Sequence, residues 1–254
     1  VPMRLQRMPM LTWLREYLLS PDAGGVRVQG PTGIGKTHIL FELHRQLRKE
    51  PGLLVGSCRF ECLEEPPLFP VLGALGEAIG SWLDKTRNSI DYMVERLPPD
   101  LALLSRATAR FAVALGSPTG TGEPGSRWRL REVADDHRLI ESTLRDDPTL
   151  FLDTLTRLMV SLVRDSRLSQ GGSRFVLIID QLEQAGRRSR ALVEMLLELP
   201  PSVCSLVVSL NEAANAPQMP LPPGLTSLPA VELESQSGEG LVELYERSGG
   251  QESW

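Results

Sequence analysis

Three cysteines in 254 residues, Cys58, Cys62 and Cys204, are too few and of the wrong parity to build a disulfide framework. Cys58 and Cys62 stand four apart, as two metal ligands could, but no second Cys or His pair stands at matching spacing. Reduced thiols in a reducing, cytoplasmic setting are therefore expected. Strong charge of one sign is also missing: the net charge is −5, with acidic and basic residues interspersed, so no dedicated nucleic-acid surface is indicated. Nor is there an apolar run long enough to cross a membrane, or a signal peptide. A hydrophobic content of 41% suffices for a sizeable core, in one large domain or one domain plus a small annex.

The chemistry begins at Gly30-Pro31-Thr32-Gly33-Ile34-Gly35-Lys36-Thr37, which has the spacing G-x-x-x-x-G-K-[ST] of a phosphate-binding loop. Val26-Arg27-Val28-Gln29 before it alternates like a short strand, and Ile39, Leu40, Leu43 and Leu47 after it recur as on one face of a helix. A triphosphate needs its negative charge held out of bulk water. Glycines let successive backbone N–H groups turn inward, and the helix start adds its dipole. Lys36 supplies a full charge for the β- and γ-phosphates, the Thr37 hydroxyl is a ligand for Mg²⁺, and His38 follows as the next residue against the nucleotide.

Before the loop, Met3 to Ser20 reads as a helix carrying Leu11, Leu14, Leu18 and Leu19, and Pro21 to Gly25 as a turn. Met3, Leu5 and Met8 either face the base of a nucleotide or belong to the core. Leu53 to Cys58 reads as a second, buried strand. Helices are expected over Pro70–Leu83, in two pieces over 88–115 divided at Pro98-Pro99, and over Pro148–Arg167. Gly116 to Gly125 is too rich in Gly and Pro for a fixed element and reads as a mobile loop. Arg127, Arg129, Arg131 and Arg138, interleaved with Glu132, Asp135 and Asp136, form either a basic contact patch or a solvated helix face.

The second diagnostic stretch is Phe175 to Asp180, five apolar residues ending in a carboxylate. It reads as a central parallel strand buried on both faces, with Asp180 at the edge where the loop must lie. There Asp180 either holds the Mg²⁺ shell beside Thr37 or merely ends the strand. Glu183 either polarises the attacking water or caps the next helix. Gln181 occupies the slot directly after the aspartate, where the most active enzymes of this type carry glutamate, so slow hydrolysis is expected. Val203 to Asn211 reads as another buried strand, whose Ser209 or Asn211 could sense the γ-phosphate. A Pro-rich connector over Pro217–Pro223, a last strand over Leu228–Leu233 and a short helix over Glu239–Arg247 complete the chain.

Together these residues resemble the AAA+-like ATPase domain of the STAND class, the signal-transducing ATPases with numerous domains. Gln6-Arg7, with Met10, Leu11 and Leu14, is similar to that class's opening G-R-x-x-E-L-x-x-L, with Gln for Gly and Met for the acidic residue. Gly56-Ser57-Cys58 followed by Pro67 to Val71 resembles its second strand and next helix, and Ile178 to Gln184 its h-h-D-x-h-[DE]-[DE]. The resemblance implies an α/β P-loop NTPase fold of ASCE/AAA+ type, three layers around a central parallel sheet. Residues 1–235 form that domain, with a helical insertion over about 84–170 and the start of a lid or linker over 236–254. It implies ATP/ADP and Mg²⁺ as cofactors, with Lys36, Asp180 and Glu183 catalytic and Thr37 and Asp180 on the metal. The function implied is a conformational and oligomerisation switch that hydrolyses slowly, in transcriptional regulation, signalling or defence. Self-association or a protein partner is expected through domains beyond this chain, which starts at Val1 and reads as one part of a longer protein.

Other readings stay open. A motor or loader on nucleic acid needs an arginine finger, for which Arg187, Arg188 and Arg190 are the clustered candidates. A scaffold that keeps a nucleotide for stability alone needs neither exchange nor hydrolysis. A small-molecule kinase would share the loop, but no acceptor-binding or lid arginine pattern is present. The absence of a G-protein-type N-K-x-D motif favours adenine over guanine.

Overall fold

A computed structural model of the chain describes residues 3–60, 69–87, 89–95, 97, 99–116, 134–164, 173–211 and 223–233. Six strands within them, β1 (Met3–Leu5), β2 (Gly25–Gly30), β3 (Leu53–Arg59), β4 (Arg174–Asp180), β5 (Cys204–Asn211) and β6 (Ala230–Leu233), make one sheet. Its spatial order is β1-β6-β2-β5-β4-β3, with every pairing parallel. Parallel strands cannot be joined by hairpins, so the crossings between them fall to helices laid on the two faces.

The apolar run of β4 shows how the layers arise. Phe175, Leu177 and Ile179 enter one core with Leu206 and Val208 of β5, and Val176 and Ile178 enter the other with Val26 and Val28 of β2. A strand buried on both sides needs no polar alternation, and all seven β4 residues are buried. Helices α1 (Arg7–Leu19) and α2 (Lys36–Leu47) cover the second face through Met10, Leu14, Leu18, Leu40 and Leu43. The first face carries α3 (Phe69–Thr86) and α8 (Arg187–Leu197), with α5 (Pro99–Gly116), α6 (Ala134–Asp146) and α7 (Pro148–Val163) in the same core. A short α4 (Ile90–Val94) precedes α5, and α9 (Pro223–Ser227) precedes β6.

The expected helix over Met3–Ser20 is corrected at its start. Met3–Leu5 is a strand lying parallel to β6, and the helix begins at Arg7 after an extended Gln6 (φ −72°, ψ 166°). Pro9 supplies the reason. Its ring would collide with the carbonyl of Leu5 if the helix ran back through residue 5, but within a first turn it costs no hydrogen bond. Met8 is 70% exposed, while Leu5 packs against the second core.

Two glycines permit close layering. An added Cβ on Gly56 of β3 would stand 2.6 Å from the carbonyl carbon of Ala74 and nearer still to its oxygen. Gly76 meets the Ala112 carbonyl of α5 in the same way. The division at Pro98-Pro99 matches the gap between α4 and α5, and Pro148 opens α7 with Asp147 as its cap, accepting from the Leu150 N–H at 2.9 Å. Arg138 lies on the exposed face of α6. The Gly/Pro loop beyond Gly116, Arg127, Arg129 and Arg131, Cys62, the Pro217–Pro222 stretch and residues 236–254 lie outside the described residues.

Candidate functional site

The loop between β2 and α2 closes over the carboxyl end of the sheet. Lys36 is only 5% exposed, and its Nζ donates to the Gly30 carbonyl at 2.7 Å and the Pro31 carbonyl at 2.9 Å. Gly35 caps α2 with φ +101°, a backbone that L side chains rarely adopt. Arg7, the first residue of α1, donates from Nη2 to the Ile34 carbonyl at 3.1 Å and lays its guanidinium against Gly35. Ile34 itself packs against the second core.

Asp180 ends β4 directly opposite this loop, buried to 5% exposure. Its Oδ2 accepts from the Thr37 hydroxyl at 2.7 Å, and its Oδ1 accepts from the Ser209 hydroxyl of β5. The Ser209 oxygen in turn accepts from the Gln181 N–H at 2.9 Å. A buried carboxylate is costly unless its lone pairs are met, and two hydroxyls meet them here. The parallel register also sets Arg59, the last residue of β3, beside Asp180, with Nε 3.8 Å from Oδ2.

Gln181 takes a left-handed backbone (φ +59°) and turns the chain into a single 3₁₀ turn, Leu182–Gln184, that carries Glu183. Glu183 Oε1 accepts from the Asn211 amide at the end of β5, and Oε2 is buried with no hydrogen-bond partner. Arg190 of α8 holds the same turn, donating to the Glu183 carbonyl at 2.7 Å and the Ala185 carbonyl at 2.9 Å. Burial pushes the Arg190 guanidinium down from its ordinary value, and the Glu183 charge offsets part of that. Of the three clustered arginines Arg190 is thus internal, and Arg187 and Arg188 are exposed.

Part of this set lines a cleft of about 570 Å³, whose lining takes in Asn211 but not Glu183 itself. Thr32, Gly33, Gly35, Lys36, Thr37 and His38 form the loop side, and Asp180, Gln181 and Asn211 the strand ends. Arg59 and an exposed Phe41 complete its wall. Among the described residues no group of three or more His, Cys, Asp or Glu side chains could hold a metal unaided. Thr37 and Asp180 offer two oxygens side by side, which suits a Mg²⁺ that keeps waters and takes its remaining ligands from phosphate.

The structure brings the expected Lys36, Thr37 and Asp180 together in one cleft, and it sets Ser209 on Asp180 and Asn211 on Glu183. Sequence alone missed Arg59 and the hold of Arg190 on the 3₁₀ turn. Register would have found Arg59, since in parallel β3 the strand end must fall beside Asp180. Nothing in the local sequence marks Arg190.

The model of the AAA ATPase domain matches residues 6–209 of this chain. No curated protein matches. Among solved structures, PCH-2 of C. elegans is similar at 11% identity with a TM-score of 0.37, over 97% of this chain and 49% of that one, so the chain spans about half of PCH-2's length. No helix among the described residues is long and apolar enough to cross a membrane.

Proposed function

The chain belongs to the AAA ATPase domain family, and on that premise we propose that it is the ATP-operated switch of a longer signalling or defence protein, of STAND type, with slow hydrolysis. The observation that carries the reading is the pairing of the Thr37 hydroxyl with Asp180 in a cleft that also takes in Lys36.

Lys36 is bonded to the carbonyls of its own loop, and it exchanges them for β- and γ-phosphate oxygens on binding. Thr37 and Asp180 would hold a Mg²⁺, with Ser209 fixing the second carboxylate oxygen. When bound, the ion would supply neutralisation of the phosphate charge. Glu183 is the base that orients the attacking water, steered by Asn211 and by the grip of Arg190 on its backbone. Its place two residues beyond Gln181 accounts for slow turnover. ATP and ADP then favour different arrangements, and self-association or a protein partner reads the difference.

The test is ATP binding, turnover and molar mass of the purified chain with ATP and with ADP. Lys36→Ala is expected to lose binding at least a hundredfold, and Glu183→Gln to keep binding while turnover falls about a hundredfold. Unchanged binding in Lys36→Ala sinks the nucleotide reading, and unchanged turnover in Glu183→Gln sinks the base assignment. Identical mass with both nucleotides sinks self-association by this chain alone.

A further inference from the structure

Among the described residues the sheet ends in two edges, and they are unequal. β1 has three residues, too few to template another strand, whereas β3 has seven. Along β3 the even-numbered residues face β4: the Gly52 carbonyl accepts from the Arg174 N–H at 3.0 Å, and the Phe60 N–H donates to the Asp180 carbonyl at 3.1 Å. Leu53, Val55, Ser57 and Arg59 therefore turn their backbone groups outward.

Two of these outward groups are taken by charged side chains of α3. Glu77 Oε2 accepts from the Ser57 N–H at 2.9 Å and from the Ser57 hydroxyl at 3.3 Å. Lys85 Nζ donates to the Leu53 carbonyl at 2.9 Å. α3 lies on the face of β3, where its Ala74 meets Gly56, and it sends these two side chains over the rim. His44 and Arg48, each at 3.1 Å, balance the Glu77 charge. Lys85 has no such balance, since among the described residues it pairs with no carboxylate. Burial first, and then the Arg48 charge, push its ammonium down from its ordinary value. A charged lysine set on an edge carbonyl at that cost is a block against a further strand.

The spacing of the two blocked groups identifies what they block. The Ser57 N–H is a donor and the Leu53 carbonyl an acceptor, and Val55 stands midway between them. Let β3 of a second copy approach antiparallel, about a two-fold axis at Val55. Leu53 of each copy then stands opposite Ser57 of the other, and outward-facing residues so paired exchange both N–H···O bonds. The Ser57 N–H of one copy donates to the Leu53 carbonyl of the other, twice over. The two groups that Glu77 and Lys85 occupy are thus each other's partners in that pairing. Such a contact uses one patch on both copies and closes at two.

We propose that the outer edge of β3 is a latent pairing surface for a second copy of this chain, kept shut by Glu77 and Lys85. The inference does not depend on nucleotide, and it stands apart from any self-association that ATP controls.

The experiment is molar mass by light scattering, over a range of concentrations and without nucleotide. The proteins compared are wild type, the Glu77→Ala/Lys85→Ala double variant, and that variant carrying Ser57→Pro as well. Wild type is expected at the mass of one chain. The double variant is expected to reach twice that mass, with self-association tightened at least about a hundredfold by the backbone groups set free. Ser57→Pro removes an outward N–H while sparing the ladder to β4, and it returns the mass to one chain. A double variant that melts cooperatively yet stays at one chain overturns the proposal. So does a dimer that survives Ser57→Pro, a mass that climbs past two chains, or a wild type already at two. Should the double variant lack a cooperative melting transition, Lys85→Met alone, which keeps the Glu77 contacts, is measured in the same way. It is then expected to tighten association about tenfold, and an unchanged mass overturns the proposal.

Discussion

Replacing Gly35 with alanine forces two separate costs on the loop. The backbone there has φ +101°, outside the conformations that alanine tolerates, and holding an L residue in the left-handed half of the map costs about 1–2 kcal/mol. The new methyl would also stand 2.8 Å from Cζ and 3.0 Å from Nε of Arg7, so the guanidinium must move and give up the Ile34 carbonyl. Losing that hydrogen bond costs about 1 kcal/mol more. The sum, about 2–3 kcal/mol, predicts ATP affinity lower by roughly 30- to 150-fold if the whole cost falls on the binding-competent loop. Arg7→Ala alone should cost about 1 kcal/mol. In the double variant the clash is gone and only the backbone strain and one lost bond remain, so the two changes should fall short of additivity by about 1 kcal/mol. Calorimetric ATP titration of the four proteins, with urea unfolding of each alongside, measures that coupling. Strict additivity would refute the contact between the start of α1 and the loop.

The remaining predictions concern the support of the site. Gly56→Ala drives a methyl into the backbone of α3 at Ala74, where no side chain can swing away. A loss of about 3 kcal/mol, read as a fall in Tm of about 6–12 °C, is expected, and an unchanged melting curve would contradict the close layering. Glu77 of α3 accepts from the Ser57 N–H at 2.9 Å and pairs with His44 and Arg48, each at 3.1 Å, tying α2, β3 and α3 together. Burial alone would raise its carboxyl, but His44, Ser57 and Arg48 together outweigh burial and hold it below the ordinary 4.5. A carboxyl lowered in the folded state stabilises above its unfolded value and loses that contribution as pH falls through the folded one. Stability of the wild type should therefore drop more steeply below pH 4.5 than that of Glu77→Gln in chemical denaturation; parallel curves would show that Glu77 is not the group.

The parts of this molecule that were legible are those whose physics is local. The glycines and Lys36 announce a loop because backbone curvature and one charge are needed within eight residues. The run from Phe175 to Ile179 announces burial on both faces because no polar residue interrupts it. Asp180 follows from its place at the end of that run. What escaped is set by partners distant in sequence. Three residues at Met3–Leu5 are too few for a period, and they are a strand only because β6 has an open edge. Arg190 looks like its exposed neighbours Arg187 and Arg188, yet it turns inward to carbonyls five and seven residues back. Arg59 acquires meaning only from a register that joins it to a residue 121 positions later.

The strand that bears the phosphate loop has a particular fate during synthesis. Its two neighbours in the sheet, β5 and β6, are made after residue 203, so β2 leaves the ribosome long before anything exists to pair with it. β3 and β4 neighbour one another and can associate sooner. Thr37 likewise waits 143 residues for Asp180. Pairings of such long sequence separation are slow to form, which makes the cleft a late product of folding. Nucleotide can then reward only a chain already made through β5, and a fragment ending before Cys204 would carry the loop's sequence without its shape.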